Sequence, residues 1–140
     1  MDLVKIMLEY EDEEGVTLES VWATPVEENY RVENIPFYAT EVAYGDIVSV
    51  KEENGELLFD SLIEASGHSV IQLMIFDEKN VDWVTQDLVN LGCTWEGSHL
   101  PTYIAVDVPV GVDYQPIQSY LEEKTNNEIL AYKEACLGFL

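Results

Sequence analysis

The sequence predicts an α+β protein in which a small antiparallel β-sheet or partial barrel, residues 1–66, precedes a ferredoxin-like βαββαβ unit, residues 67–140. The first half alternates apolar and polar residues between acidic or Gly-containing turns, which is typical of short antiparallel strands. Apolar residues with a single Gln fill residues 70–76, which favours a strand buried on both faces. Beyond it, two helical patterns alternate with short strands. We expect the two parts to pack as one compact unit.

The first half is predicted to be mainly antiparallel. Its second strand is expected to end at Pro25, and residues 34–39 are expected to be irregular because they contain a proline, which lacks a backbone N–H. Asn54-Gly55 suits the positive φ angles of a tight hairpin loop. The predicted strands cover residues 4–10, 18–24, 30–33, 47–51 and 56–63.

The second half begins at a predicted joint, residues 66–69, which contains a glycine. Asp77 or Asn80 is expected to cap a first helix that Gly92 ends, and Asp113 is expected to cap a second. The order of strands and helices predicts a sheet whose first and third strands are central. The predicted strands of this half cover residues 70–76, 93–96, 103–108 and 129–134.

The two cysteines, Cys93 and Cys136, match no metal-binding spacing. In the predicted sheet they lie at opposite edges, too far apart for the approach of about 7 Å between α-carbons that a disulfide needs. The chain carries no signal-like or membrane-spanning apolar stretch, so we expect a cytoplasmic protein with reduced thiols.

Short sequence matches spread from residue 19 onward resemble a bacterial family catalogued as a domain of unknown function (DUF4265). Singly each match is weak, but together and in this order they are fairly specific. The resemblance implies a shared fold and no catalytic residues. The matching pieces are Glu19-Ser20-Val21-Trp22-Ala23, Val32-Glu33-Asn34-Ile35-Pro36-Phe37-Tyr38-Ala39, Tyr44-Gly45-Asp46, Ser66-Gly67-His68, Leu91-Gly92-Cys93, Ala105-Val106-Asp107-Val108-Pro109 and Glu134-Ala135-Cys136-Leu137.

Charge is the outlying property of the composition: 28 Asp and Glu stand against 6 Lys and Arg, a formal net charge of -22. Such a surface repels nucleic acid and anionic membranes and accelerates association with a cationic partner. The sequence also lacks phosphate-binding glycine motifs. The charge therefore indicates a basic protein as partner, unless the acidity serves only solubility.

Our first hypothesis is a non-enzymatic binding protein, in particular an immunity protein that neutralises a basic nuclease toxin by occupying its nucleic-acid-binding groove. It needs no cofactor and no metal. Aromatic anchors within a charged rim are typical of such interfaces, although Trp22 and Phe37 are expected to be core residues. The acidic turns are expected to cluster at one end of the sheet. The candidate partner-binding residues are Tyr10, Glu11, Asp12, Glu13, Glu14, Glu27, Glu28, Tyr44, Glu52, Glu53 and Glu56.

The alternative hypothesis is a small-molecule sensor or enzyme with a site at the joint, formed by Trp22, Asp46, Ser66 and His68. Ser66 beside His68 suggests a nucleophile and its base, with Asp46 orienting the imidazole. A histidine next to a glycine is more often a hydrogen-bonded structural residue, so this reading ranks second.

Overall fold

The computed structural model describes residues 2–139, which form two sheets and two α-helices. The helices are α1 (Val81–Asn90), which follows a short 3-10 helix (Glu78–Asn80), and α2 (Tyr114–Asn126). The strands are β1 (Val4–Asp12), β2 (Gly15–Val26), β3 (Asn29–Val32), β4 (Ile47–Glu53), β5 (Glu56–Glu64), β6 (Ser69–Ile75), β7 (Thr94–Gly97), β8 (Tyr103–Val108) and β9 (Leu130–Cys136).

The first five strands form a closed barrel in chain order. Consecutive strands pair antiparallel, and a short parallel pairing of Ile6 with Leu57 and of Met7 with Leu58 closes the barrel. Closure gives each of the five strands a neighbour on both sides, although β1 and β5 pair at two positions only. The five predicted strands and the hairpin at Asn54-Gly55 are confirmed, and the sheet closes fully.

The prediction that Pro25 ends β2 is wrong, because β2 continues to Val26. The N–H of Glu33 donates to the carbonyl of Trp22, and hydrogen-bonded pairs alternate along an antiparallel ladder. Pro25 therefore stands at a position that donates nothing to β3. On its other side β1 pairs only as far as Ala23, so the missing N–H of Pro25 opposes no strand.

The second sheet has the order β7-β8-β6-β9, so the first and third strands of this half are central, as predicted. Both helices cover one face, around a buried cluster that includes Ile71, Leu88 and Ile117. Residues 69–73 are buried on both faces, but β6 ends at Ile75, and Phe76, predicted as part of it, is 59% exposed. Phe76 lies outside the ladder to β8 and donates its N–H to Ile129.

The helix ends follow the predicted signals. Asp77 accepts the N–H of Lys79 and so caps the 3-10 helix that leads into α1, while Asn80, directly before α1, makes no side-chain capping bond. Asp113 accepts the N–H of Gln115 at α2. Gly92 follows α1 with a φ of 103°. Strand β7 begins at Thr94, one residue later than predicted, because the N–H of Cys93 still donates to Leu88.

The two cysteines flank opposite edges of the sheet as predicted, and both are free. Cys93 lies just before the edge strand β7, and Cys136 ends the edge strand β9. No helix among residues 2–139 combines the length and apolarity that a bilayer crossing requires.

The irregular segment of residues 34–39, here called the clamp loop, lies between the barrel and the second sheet. From the barrel, the carboxylate of Glu19 accepts the N–H groups of Phe37, Tyr38 and Ala39. From the sheet, the side-chain amide of Gln72 donates to the carbonyls of Pro36 and Ala39. Both layers thus bind the backbone of the same loop.

The sheet holds the clamp loop at two more points. The hydroxyl of Tyr103 donates to the carbonyl of Phe37, and the carboxylate of Glu96 accepts from the side chain of Asn34 and the N–H of Ile35. These bonds satisfy backbone groups that would otherwise be buried without partners.

Candidate functional site

The last two residues of β1 and the turn that follows them, residues 11–14, form an exposed acidic tip. Asp12 orders it: one carboxylate oxygen accepts the N–H of Glu14 at 2.8 Å, and the other accepts the hydroxyl of Thr17 at 3.2 Å. The acids that form ion pairs within residues 2–139 all lie elsewhere, at Glu33, Asp60, Asp77, Asp107 and Glu123. Asp12 therefore orders the turn, and none of the four carboxylates forms an ion pair within the described residues.

The other predicted acidic turns lie at the opposite end of the barrel. Glu27 and Glu28 follow β2, whose 12 residues separate them from the acidic tip; an extended strand of that length spans at most about 40 Å along its own axis. The turn with Glu52, Glu53 and Glu56 lies at that same far end, because β5 starts beside the start of β1. The expected clustering therefore holds for two of the three acidic turns and not for the acidic tip, since consecutive turns of an antiparallel sheet alternate between its ends.

A stack of tyrosines lies beside the acidic tip. The ring centroids of Tyr10 and Tyr38 are 5.1 Å apart, and those of Tyr38 and Tyr103 are 5.2 Å apart. Burial raises the pKa of Tyr38, and the nearby Tyr10 adds to this effect. Tyr10 and Tyr38 also line a depression of about 500 Å³ together with Glu9, Glu11 and one cation, Lys133. The acidic tip thus has aromatic contact area next to it.

Two predicted aromatic placements differ in outcome. Trp22 is 43% exposed, so the core assignment is wrong. Its neighbours on β2, Val21 and Ala23, point inward, so Trp22 points outward. The ammonium of Lys5 lies 5.2 Å from the centroid of its ring. Phe37 packs against a buried cluster that includes Ile35, as expected.

The predicted joint brings three of its four residues together. Asp46 accepts the N–H groups of Ser66 and Ala43, both at 2.9 Å. The hydroxyl of Ser66 donates to the carbonyl of Tyr44 at 2.7 Å and accepts the backbone N–H of His68. Asp46 and Ser66 therefore hold the turn and do not bond the imidazole.

The sequence placed Trp22 among the joint residues and Tyr44 among the partner-binding residues. The structure gives both residues different neighbours from those expected. Trp22 lines a separate cavity of about 180 Å³ with Glu19 and Glu96, away from His68. The ring of Tyr44 packs edge-on against that of His68, with centroids 5.4 Å apart. Tyr44 therefore belongs with the joint and not with the acidic tip.

Asp107, which sequence reasoning missed, is the partner of His68. Its carboxylate lies 2.7 Å from Nδ1 of the imidazole, is 3% exposed, and accepts a second bond from the hydroxyl of Thr94. The other ring nitrogen, Nε2, has no hydrogen-bond partner within residues 2–139. Every fully buried side-chain nitrogen in these residues has a partner, so Nε2 must be accessible to solvent. A single Asp inside the apolar run of β8 was the available signal, because unpaired charge is rarely buried.

The family described as a domain of unknown function (DUF4265) matches residues 19–132, most of the chain. The protein belongs to this DUF4265 family. A solved structure described as a hypothetical protein from Neisseria gonorrhoeae is similar over 100% of this chain and 99% of that chain, with 26% identity and a TM-score of 0.86. No curated protein matches the chain significantly.

The DUF4265 match separates the two candidate sites. His68 and Asp107 lie inside the matched residues, whereas Tyr10 and the acidic tip precede them. The similarity to the Neisseria protein extends over both regions.

The two cysteines are poor nucleophiles. Burial, and then the charge of Asp107, raises the pKa of the Cys93 thiol to about 12, so thiolate is scarce at neutral pH. Burial also raises the pKa of Cys136. Over residues 2–139, no three His, Cys, Asp or Glu side chains are placed to hold a metal ion.

Proposed function

We propose that this protein is an acidic, non-enzymatic binding protein, in particular a cytoplasmic immunity protein that neutralises a basic nuclease toxin by occupying its nucleic-acid-binding groove. The observation that carries the proposal is the acidic tip, whose four exposed carboxylates have no ion-pair partner in residues 2–139. Uncompensated carboxylates on a projecting turn can occupy the phosphate positions of a cationic groove.

Distance decides which acidic turn contacts the partner. A typical interface covers about 800 Å² per protein, a disc of about 16 Å radius. The tilt of barrel strands reduces the about 40 Å length of β2 to a separation of about 30 Å between the two ends, which is about the full width of such a disc, and charges farther apart than about 8–10 Å are screened at physiological salt. One partner therefore docks at one end, and the acidic tip is favoured because the tyrosine stack and the depression adjoin it.

The test is charge reversal at the two ends. The tip variant Glu11→Lys/Glu13→Lys/Glu14→Lys spares Asp12, which orders the turn. The matched control is Glu27→Lys/Glu28→Lys/Glu52→Lys, with the same change in net charge. Binding is measured by calorimetry against a panel of basic bacterial nuclease domains, including any encoded beside this gene. We expect the tip variant to bind at least about 100-fold more weakly and the control less than about tenfold. Tight binding of a basic nuclease domain by the tip variant would contradict the proposal.

A second candidate, a small-molecule sensor or enzyme at the joint, is supported by the His68–Asp107 pair. A buried carboxylate that bonds Nδ1 and leaves Nε2 open is the arrangement of a histidine general base. A metabolite library screened by thermal shift tests it with His68→Gln, and His99→Gln, an exposed loop histidine, as the control. A ligand whose stabilisation survives His68→Gln argues against this site.

We also propose that residues 1–66 and 67–140 are two subdomains of one unit, the second ferredoxin-like. The sheet order β7-β8-β6-β9, with both helices on one face, supports the second assignment. The clamp loop supports the description of the whole as one unit.

A further inference from the structure

A cavity of about 480 Å³ opens beside the start of α2, on the helix-covered face of the second sheet. Glu134 of β9 supplies its carboxylate and Tyr114 and Phe139 supply two rings, whose centroids lie 5.5 Å apart. Val112 and Leu137 add apolar walls. Asp107 lies between Val106 and Val108, which face the helices, so the His68–Asp107 pair is on the other face of the sheet. The cavity is therefore separate from both sites described above.

Only one of the two carboxylate oxygens of Glu134 accepts hydrogen bonds from the described residues. The hydroxyl of Tyr114 and the amide of Gln118 both donate to Oε2, while Oε1 accepts no hydrogen bond from residues 2–139. Burial, and then the bond to Glu134, raises the pKa of Tyr114, so the phenol remains the donor. One carboxylate oxygen is thus fixed by the protein and the other is available to a ligand.

The charge of the cavity favours a cation. Glu134 and Asp113 are both among its lining residues, and none of the lining residues in the described chain is Lys, Arg or His. The N-terminus of α2 does not reverse this, because Asp113 already takes the N–H of Gln115 and Pro116 has none to offer. An anion would meet two carboxylates and few free donors.

We propose that this cavity binds an organic ammonium group, with Oε1 of Glu134 as its ion-pair partner and the exposed ring of Phe139 as its cation–π contact. Phe139 is 60% exposed beside the buried Tyr114, which leaves its ring accessible to a ligand. Aromatic rings with carboxylates are the usual receptors for ammonium ions, and the volume is in the range of small-molecule sites. The ammonium group belongs either to a free amine or to a lysine side chain of another protein. The inference does not depend on the toxin-binding proposal.

The probe is n-butylammonium chloride, titrated into the ¹⁵N-labelled full chain in 150 mM NaCl and followed by NMR. Butanol and butyrate are the neutral and anionic analogues. We expect saturable shifts at Gln118 and the first turn of α2 with butylammonium, and at least about tenfold weaker binding of both analogues. Equal binding of the three probes, or shifts spread over the acidic surface without saturation, would overturn the proposal.

Three variants locate the contact. Glu134→Gln keeps an acceptor for Tyr114 but loses the charge, and we expect it to weaken butylammonium at least about tenfold. Phe139→Ala changes an exposed ring, so folding is retained, and we expect a weakening of about two- to fivefold. Glu78→Gln removes the same charge at an exposed site elsewhere and leaves the affinity unchanged. If Glu134→Gln and Phe139→Ala both bind like Glu78→Gln, the site is wrong.

Nα-acetyl-lysine methylamide distinguishes the two sources of the ammonium group. If it binds at the same residues as butylammonium, the cavity accepts a lysine side chain of a partner. If butylammonium alone binds there, the ligand is a free amine. Either result supports the ammonium site. If neither probe binds, the ammonium site is contradicted, and the proposed role of the acidic tip is unaffected.

Discussion

Glu19 is the single side chain on which the contact between the barrel and the clamp loop most depends. Its buried carboxylate accepts three consecutive backbone N–H groups. Each of these donors would lose its partner if the carboxylate were removed, because water has little access to the buried side chain. Bonds to a charged acceptor and unsatisfied buried donors carry larger free energies than average hydrogen bonds.

We therefore expect Glu19→Ala to lower the free energy of unfolding by about 2–4 kcal/mol. Urea denaturation followed by circular dichroism measures the change. The control is Glu9→Ala, which removes an exposed carboxylate from the neighbouring strand and is expected to cost less than about 0.5 kcal/mol. Equal losses in the two variants would show that the three bonds contribute little.

Tyr103 makes the free energy of unfolding depend on pH in the alkaline range. Burial raises its pKa to about 12, with Tyr38 and Glu19 adding to the effect, whereas an ordinary tyrosine has a pKa of 10.0. The folded state therefore holds this proton more tightly than the unfolded state. The contribution is complete below pH 10 and is lost as the pH rises towards 12.

We expect the unfolding free energy to fall between these pH values, and to fall less steeply in Tyr103→Phe. Tyr30→Phe is the matched control, since the Tyr30 hydroxyl makes no hydrogen bond within residues 2–139. Urea titrations at several alkaline pH values measure the slopes. The same slope in Tyr103→Phe as in the unmodified chain contradicts the assignment.

Single residues also mark where sequence reasoning reaches its limit. Alternation on β2 was sufficient to turn Trp22 outward, but its apolar character suggested the core. The pairing of His68 with Asp107 joins residues 39 positions apart, so it depends on the register of β6 with β8. A sequence pattern can flag a buried Asp, but it cannot name the partner.

At the scale of elements, local signals predicted most of the secondary structure. Caps at Asp77 and Asp113, the stop at Gly92 and the loop at Asn54-Gly55 act over a few residues, and all were confirmed. Pro25 was misjudged because its tolerance depends on where β1 begins, which is a property of another strand.

The hairpin of β4 and β5 offers a test of this local control. Asn54 and Gly55 have φ angles of 52° and 82°, and a Cβ on Gly55 would contact nothing within 4 Å. Gly55→Ala therefore adds only backbone strain, and we expect it to lower stability by about 1 kcal/mol. Gly97→Ala, at a glycine without positive φ and with only ordinary contacts, is expected to change stability by less than about 0.5 kcal/mol. Thermal denaturation compares them, and similar losses would contradict a turn-specific cost.

At the scale of the whole molecule, the order of elements predicted the central strands of the second sheet but not the ends at which the acidic turns lie. Counting five strands does not say whether the sheet closes, and composition does not say which turns share an end. The direction of each strand settles this: β2 carries the chain from the acidic tip to Glu27 and Glu28. The candidate interface is therefore smaller than the sum of the acidic turns.

Because the clamp loop is bound by both halves of the chain, we expect neither half to be stable alone. It belongs to the first half by sequence, but Gln72, Glu96 and Tyr103 of the second half bind it. Without the loop, the barrel-facing side of the second sheet exposes the buried Val70 and Ala105 and leaves the buried amide of Gln72 without its acceptors. Without the sheet, the described part of the chain holds the loop by its bonds to Glu19 and by the N–H that Trp22 donates to the side chain of Asn34.

We expect residues 1–66 and 67–140, expressed separately, to give poorly dispersed NMR spectra and no cooperative unfolding, and to regain dispersion when mixed or coexpressed. The reason is that each fragment loses part of a shared core whose polar groups are satisfied only across the boundary. Fragment 67–140 with Gln72→Leu serves as a control, because it removes the unpaired amide but not the exposed apolar face. A dispersed, cooperatively unfolding spectrum from unmodified 67–140 would show that the clamp loop joins two independent domains.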